Sequence, residues 1–353
     1  MKNSGRGQSK GGTRRRRQPD WALLPHESLL DVRICDLDVT IEGTWLERQI
    51  EQLYNELARR GLRFRPHCWL SGEWFTPDHV PGIAIPFFLA HPQLRKLEDR
   101  MMFEVEGGTR VWSMQLLRHE AGHAYETAYQ LGRRPRWRKM FGRPTKPYPH
   151  SYRPRPVSKR YVHHLDWWYA QSHPCEDFAE TFAVWLGSTT RWRRRYDGWP
   201  ALKKILYVDE LMAELAGRAP RVRSRAKVEP ANRNRVTLRE YYKTKQARYE
   251  SDYPDFYDRD LMRLFPEPYE LGNYPTAASY LRRTSPDLRR VVSDWTGEHA
   301  YAVDLVIKDM IKRCRELKLL VYRPHEELKV EVAIMLTMQT MNFVHGTDHQ
   351  ILV

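Results

Sequence analysis

Three residues near position 120 have the types and the spacing of a metal site. In His119-Glu120-Ala121-Gly122-His123 the two histidines are four positions apart. On an α-helix they therefore lie on one face and can reach the same metal ion. Glu120 projects beside them, where a carboxylate can act as a general base toward water. The pattern predicts a zinc site with hydrolytic chemistry.

The residues on either side predict that this motif lies in the middle of a helix. From Arg110 to Leu117 apolar residues recur at helical spacing, as at Trp112 and Leu116, and there is no Gly or Pro. After the motif, residues 124–131 contain no helix breaker, and Gly132 is suited to a C-terminal cap. This context makes a chance match to the five-residue pattern less credible.

A catalytic zinc has three protein ligands and one open position, so the two histidines need a third partner. In SprT-like peptidases, which act on DNA–protein crosslinks, a histidine soon after the helix supplies it. No histidine occurs here between His123 and His150. The remaining candidate is Glu176, about fifty residues downstream.

Glu176 lies in a segment that has its own helix signals. Pro174 is suited to a first helical turn, and Ser172 or His173 to the N-cap before it. Gly187 is suited to the end of the same helix. On such a helix Glu176 shares a face with the acidic residue one turn later.

At these two motifs the chain resembles the putative zinc-binding metallopeptidases, a gluzincin-type family with an H-P-x-E-D-F-A-E-T-F-A signature. Here the signature is intact from His173 to Ala183. The anthrax lethal factor-like peptidases are similar in arrangement, with the first Glu of an E-x-F-A-E motif as the zinc ligand and a Tyr seven residues before it. Tyr169 has that position relative to Glu176. The resemblance is specific over about residues 110–190.

The resemblance implies a Zn²⁺ cofactor and a peptide or protein substrate. Its ligands would be His119, His123 and Glu176. Glu120 would take a proton from the attacking water and deliver it to the leaving amine. With zinc held in this way, water would become acidic enough to react near neutral pH.

Further side chains acquire roles from the same resemblance. The Tyr169 hydroxyl would stabilise the oxyanion that forms from the scissile carbonyl. Glu180 would accept the outer N–H of a ligand histidine and fix its tautomer. Asp177 is the alternative for that second role.

Simpler interpretations of the motif residues remain open at this point. His119 and His123 are compatible with polar positions on a half-buried helix, and Tyr169, in a Trp-rich run, with core packing. A structural zinc site is disfavoured, because such sites are usually closed by four Cys or His ligands. No cysteine lies on the helix of the first motif.

The other histidines and the cysteine near the proposed ligand receive simpler interpretations. His163, His164 and His173 are interpreted as surface or packing residues. Cys175 is interpreted as a bystander thiol rather than a nucleophile or a fourth ligand. Residues 345–349 contain a second pair of histidines, for which a solvated tail is the preferred account.

Charge is unevenly spread along the chain. The chain of 353 residues is long enough for one large domain or two modest ones, and it carries a net charge of +15. Residues 1–19 contain the run Arg14–Arg17 among Gly and Ser, and we expect a disordered basic tail. Only a short apolar run, Trp21–Leu24, follows before Pro25, which is too short for a signal peptide.

Cysteine usage favours a reducing compartment. The four cysteines show no paired spacing, at positions Cys35, Cys68, Cys175 and Cys314. No stretch approaches the length of a membrane span. We therefore predict a cytoplasmic protein that does not insert into a membrane.

A long cationic segment separates the two motifs. Residues 133–160 contain eleven Lys or Arg, six Pro, and no Asp or Glu. One interpretation is that the segment forms one side of the active-site cleft and favours acidic substrates. Another is that it contacts nucleic acid, with Trp137, Tyr148 and Tyr152 among the charges. A solvated loop anchored by these aromatic residues is the third interpretation.

The local signals predict an α+β fold that is predominantly helical. Thr44 to Leu57 is predicted as an amphipathic helix with a capping box. Short strands are predicted at residues 64–69 and 82–89. The resemblance implies a zincin-like domain with a small sheet over the active-site helix, and residues 82–85 are the candidate edge for pairing with substrate.

The predicted division of the chain follows its composition. A zincin-like metallopeptidase domain is expected at residues 20–215, a basic linker at 216–235, and a helical C-terminal domain at 236–353. In the last of these, residues 303–317 form one apolar stripe and residues 328–341 a second apolar helix. Six aromatic residues are expected to pack against these helices: Tyr241, Tyr242, Tyr249, Tyr253, Phe256 and Tyr257.

Two functions from different classes follow from these patterns. The leading one is zinc-dependent hydrolysis of peptide bonds by metal-activated water with a Glu general base. The rival is a nucleic-acid-binding or interaction protein, acting through the basic tail and residues 133–160, with a secondary or vestigial metal site. Glu120 favours the enzyme, because a vestigial site does not need a general base.

Overall fold

The computed structural model describes residues 19–149, 151–152, 155, 158–187, 191–249, 258–265, 274–345 and 351–352. The predicted basic tail lies outside the described residues except for its last position. The side chains of the histidine pair at 345–349 also lie outside them.

The described residues confirm a predominantly helical α+β fold. The α-helices are α1 (His26–Leu30), α2 (Trp45–Arg59), α3 (Pro92–Met102), α4 (Arg110–Tyr129), α5 (Pro135–Phe141), α6 (Pro174–Gly187), α7 (Arg191–Arg195), α8 (Ala201–Leu215), α9 (Leu238–Ala247), α10 (Asp258–Leu264), α11 (Ala277–Thr296), α12 (Ala300–Glu316) and α13 (His325–His345). The strands are β1 (His67–Ser71), β2 (Gly82–Pro86), β3 (Ser151–Tyr152) and β4 (Ile351–Leu352). Short 3-10 helices occur at Asp20–Leu23, Ile34–Leu37, Phe87–Ala90, Leu131–Arg133, Asp166–Gln171 and Ala231–Arg233.

The small sheet pairs β1 with β2 in parallel, from His67 beside Gly82 to Ser71 beside Pro86. β2 is buried along its whole length and contacts α4. On its other edge, the Ala84 amide donates to the Phe75 carbonyl at 2.9 Å. The edge predicted for substrate is therefore already paired at Ala84.

β1 begins and ends later than predicted. Pro66 has no N–H to donate to a ladder, so the strand starts at His67. Phe64, which the prediction placed in the strand, instead packs edge-to-face on Tyr125 of α4, with ring centroids 5.2 Å apart. The chain before β1 thereby contacts the helix that carries the first motif.

The amphipathic helix α2 packs its apolar stripe into the same core. Its buried residues include Leu46, Leu53 and Leu57. Thr44 caps it by accepting from the Leu46 amide, and the Glu47 carboxylate accepts from the Gly43 amide. The capping residues are those predicted, but each bonds one position away from its place in an ideal box.

Apolar residues of the described chain form two main cores. The larger runs from Trp21 to Tyr301, which lies on α12, and it surrounds α4 and α6. The smaller joins α10 to α13 between Leu261 and Leu336. Tyr242 belongs to the larger core, and Tyr241 packs on Phe87. These two tyrosines therefore lie on the first core rather than on the C-terminal helices. Tyr249 does contact α12 as predicted, with its ring centroid 6.0 Å from that of Tyr301. Tyr253, Phe256 and Tyr257 lie outside the described residues, and the domain boundaries stay predictions. Among the described residues no helix is long and apolar enough to cross a membrane.

Candidate metal centre

The two histidines of the first motif are carried by the middle of α4. Thr109 caps this helix by accepting from the Trp112 amide at 3.2 Å. The helix ends at Tyr129, and Gln130 adopts a left-handed conformation with φ of 54°. The predicted cap, Gly132, lies in the next turn. The helix ends earlier than predicted because Gln130, although not a glycine, adopts the positive φ of the cap.

The proposed third ligand is carried by α6, whose start is as predicted. Pro174 is its first residue. The His173 ring accepts from the Cys175 amide through Nδ1 at 3.2 Å, so of the two predicted caps His173 makes the contact. Ser172 instead donates to the Tyr169 carbonyl.

Gly122 and Ala179 allow α4 and α6 to approach closely. A Cβ on Gly122 would stand 2.8 Å from the Ala179 Cα and 3.1 Å from its carbonyl oxygen. Only a glycine at this position fits without moving the second helix, and the small Ala179 side chain extends the contact. Because Gly122 is inside the first motif, the close approach carries His119 and His123 directly to Glu176.

Three ligand atoms meet where these helices face each other. The Nε2 atoms of His119 and His123 are 3.0 Å apart, and the Glu176 Oε2 lies 3.0 Å from the first and 3.1 Å from the second. In tetrahedral zinc sites, bonds of about 2.0–2.1 Å place ligand atoms roughly 3.3–3.4 Å apart. The donor set of two imidazoles and one carboxylate therefore fits a zinc ion in composition and in spacing.

The electrostatics of this cluster suit a cation. Burial opposes charge on Glu176, yet the adjacent His123 and His119 hold its pKa well below its usual range. Burial likewise opposes charge on His119, but hydrogen bonds with Glu176 and Glu180 raise its pKa well above the ordinary value. Despite its burial, the pKa of His123 is also raised, by Glu176. Glu176 thus stays ionised, which is the form that binds a metal.

Glu180 holds the outer side of His119. Its Oε1 lies 2.8 Å from His119 Nδ1, and its Oε2 accepts from the Leu165 amide at 2.9 Å. Glu180 is fully buried, and although burial opposes its charge, the hydrogen bond with His119 helps to lower the pKa of its carboxyl. The contact therefore favours a proton on His119 Nδ1.

Asp177, the alternative for this role, faces another helix. It pairs with Lys204 of α8 at 2.5 Å, and burial raises the pKa of its carboxyl to about 7. Of the two acidic residues, Glu180 alone contacts His119, because one full helical turn separates it from Glu176 whereas Asp177 is rotated away.

Glu120 lies beside the cluster and is 7% exposed. Its Oε2 is buried without a hydrogen-bond partner in the described part of the chain. A buried carboxylate oxygen without a partner is costly unless a ligand or water satisfies it. This is the arrangement expected of a base that meets its partner only when a reactant is bound.

Residues 114–192 match the model of the family described as putative zinc-binding metallo-peptidase. The match confirms the family resemblance seen in the two motifs. No curated protein and no solved structure shows a significant match to the chain.

The matched region, residues 114–192, includes Tyr169. Its ring lies beside His119, with centroids 5.7 Å apart. The residue before it, Trp168, has φ of 53°, a conformation that bulky side chains rarely adopt. Such local strain persists only where the surroundings enforce it, which is common at functional sites.

The matched region also contains a tyrosine whose contact the sequence did not indicate. The Tyr148 hydroxyl donates to Glu176 Oε1 at 2.7 Å, although the residue as a whole is 52% exposed. Burial and the adjacent Glu176 raise the pKa of Tyr148, so the hydroxyl stays protonated. Tyr148 was noted only as one of several aromatic residues in the cationic segment, and no local pattern indicates a contact across 28 positions.

The remaining histidines and the nearby thiol have structural partners. His163 packs on Trp199, and His164 contacts the Gln115 carbonyl through Nε2 at 2.9 Å. Burial raises the pKa of Cys175 to about 12, which disfavours the thiolate that a metal ligand or nucleophile requires. These residues fit their interpretation as packing residues and a bystander thiol.

Proposed function

We propose that this protein is a zinc-dependent peptidase that hydrolyses peptide bonds in a peptide or protein substrate. The observation that carries the proposal is the convergence of His119 Nε2, His123 Nε2 and Glu176 Oε2 within 3.1 Å of one another. The family match supports the same chemistry.

The three converging residues would hold the zinc ion, and Glu120 would be the general base. When bound, zinc supplies Lewis-acid chemistry, which polarises a carbonyl and makes water acidic enough to react near neutral pH. Glu120 takes the proton of the attacking water and returns it to the leaving amine. Its unpartnered Oε2 supports this role, because the atom is free to accept a proton.

Two further residues support the reaction in this proposal. The Tyr169 hydroxyl donates to the oxyanion that develops from the scissile carbonyl, and such a donor is worth about 3 kcal/mol when well placed. Glu180 keeps His119 in the tautomer that binds metal, through its 2.8 Å contact with Nδ1. A gluzincin relationship and a cytoplasmic location belong to the same proposal, the latter because the four cysteines are free.

Cleavage of a complex peptide library by the zinc-loaded protein tests this proposal, with cleavage sites read by mass spectrometry. We expect wild type to cleave and Glu120→Gln to be at least about a hundredfold slower while keeping its zinc. Glu51→Gln, an exposed position on α2, is the matched control and should match wild type. Equal cleavage by Glu120→Gln and wild type would contradict the assigned base.

A further inference from the structure

The two oxygens of Glu176 have different partners. Oε2 faces the histidine nitrogens at 3.0 and 3.1 Å, whereas Oε1 accepts from the Tyr148 hydroxyl at 2.7 Å. Glu176 is 4% exposed, so neither oxygen depends on bulk water for its contacts. A hydroxyl that donates to an ionised carboxylate makes a strong, charge-assisted hydrogen bond.

Tyr148 is held in place by the residue that caps α6. Its ring stacks on His173, with centroids 3.8 Å apart and an interplanar angle of 22°. His173 accepts from the Cys175 amide through Nδ1, so its Nε2 carries the proton and donates to the Lys146 carbonyl at 2.8 Å. One neutral imidazole thus ties the segment that carries Tyr148 to the helix that carries Glu176.

Packing alone does not account for this arrangement. Tyr148 is 52% exposed as a residue, so it adds little to the core. Its polar tip nevertheless turns inward to a buried carboxylate. Within the described residues, the hydroxyl of Tyr169, the tyrosine expected from the sequence, makes no hydrogen bond to any of the three clustered side chains.

We propose that Tyr148 is a positioning residue that makes Glu176 a monodentate ligand, which would bind the metal through one oxygen. By holding Oε1, it leaves only Oε2 to bind the metal, so the carboxylate does not occupy the position that water and substrate need. The inference rests on the proposed function, because it assumes that the three clustered residues bind a metal ion. Outer partners of this kind typically change metal affinity by about 10–100-fold when removed.

The test compares full-length wild type, Tyr148→Phe and Tyr169→Phe loaded with Co²⁺ in place of zinc. Visible absorption of Co²⁺ reports coordination number, since four-coordinate sites absorb more strongly than five- or six-coordinate sites. Zinc affinity is measured in parallel by competition with a chromogenic chelator. Thermal unfolding confirms that each variant is folded.

We expect Tyr148→Phe to lose absorption intensity, as Oε1 joins the metal, and to bind zinc about tenfold more weakly. Tyr169→Phe should keep the wild-type spectrum and zinc affinity, even though its turnover falls. A Tyr148→Phe protein with the wild-type spectrum and affinity would overturn the inference, whatever its turnover. Failure of wild type to bind either metal would instead contradict the proposed metal centre, and the inference about Tyr148 would fall with it.

Discussion

At the scale of single residues, spacing predicted only part of the site. His119 and His123 lie together because a helix repeats its faces every three to four positions. Glu176 reaches them from another helix, and the sequence indicated it through the absence of a nearby histidine and the family resemblance. The helical repeat also selects Glu180 over Asp177 as the partner of His119. Tyr148 could not be predicted, because its contact depends on how an irregular segment folds back across 28 positions.

The raised pKa values of His119 and His123 predict how zinc binding depends on pH. Protons compete with metal for their Nε2 atoms, so apparent zinc affinity should rise as pH increases above about 6.5. The gain should reach about tenfold per pH unit for each proton displaced. Glu176 should not contribute, because its pKa lies well below this range. Chelator competition at several pH values measures the slope, and a flat profile would argue against histidine ligands.

Glu180→Gln should weaken zinc binding by about 10–100-fold, because an amide does not hold the Nδ1 proton of His119 as a carboxylate does. Asp177→Asn is the matched control on the same helix. It should lower the melting temperature, since it leaves Lys204 buried opposite a neutral group, but should preserve zinc affinity. Equal zinc affinities in the two variants would contradict the division of roles between these acids.

At the scale of elements, the helices of the site were predictable from their ends and their faces. Pro174 and His173 mark the start of α6, and the capping residues of α2 were identified correctly. The end of α4 was not, because Gln130 takes the left-handed conformation that glycine was expected to supply. The close approach of α4 to α6 could not be predicted, since Gly122 carries no local signal of the helix that packs against it.

The close packing of α4 on α6 predicts that one methyl group added at Gly122 strongly affects stability. In Gly122→Ala the new Cβ would stand 2.8 Å from the Ala179 Cα, so the helices must separate. We expect a loss of about 1–3 kcal/mol in the free energy of unfolding and weaker zinc binding, since the ligands move apart. Gly187→Ala is the control, because its nearest contact is a flexible Arg118 side chain at 3.4 Å. Similar melting temperatures for both variants would refute the packing argument.

At the scale of the whole molecule, charge is the feature that the proposed function does not explain. The net charge of +15 suggested a nucleic-acid surface. In the described part of the cationic segment, however, Arg134 pairs with Glu214 and Arg136 with Glu210, both on α8. These ion pairs give two of the cations a structural role, so α8 neutralises part of the positive charge of the segment.

We therefore expect any nucleic-acid binding to be separate from the metal centre. Affinity for a DNA duplex, measured by fluorescence anisotropy, should fall steeply with salt and be the same in wild type and Glu176→Ala. A protein lacking residues 1–18 should lose most of this binding, because that segment contains the run Arg14–Arg17. Loss of binding in Glu176→Ala instead would contradict this separation, because nucleic-acid binding would then depend on the metal centre.

The most direct test of the central claim is the zinc content of the purified full-length protein, measured by elemental analysis in wild type, Glu120→Gln and Glu176→Ala. We expect one zinc per chain in wild type and in Glu120→Gln, and little or none in Glu176→Ala. No zinc in wild type, or full retention in Glu176→Ala, would contradict the assignment of His119, His123 and Glu176 as the metal ligands.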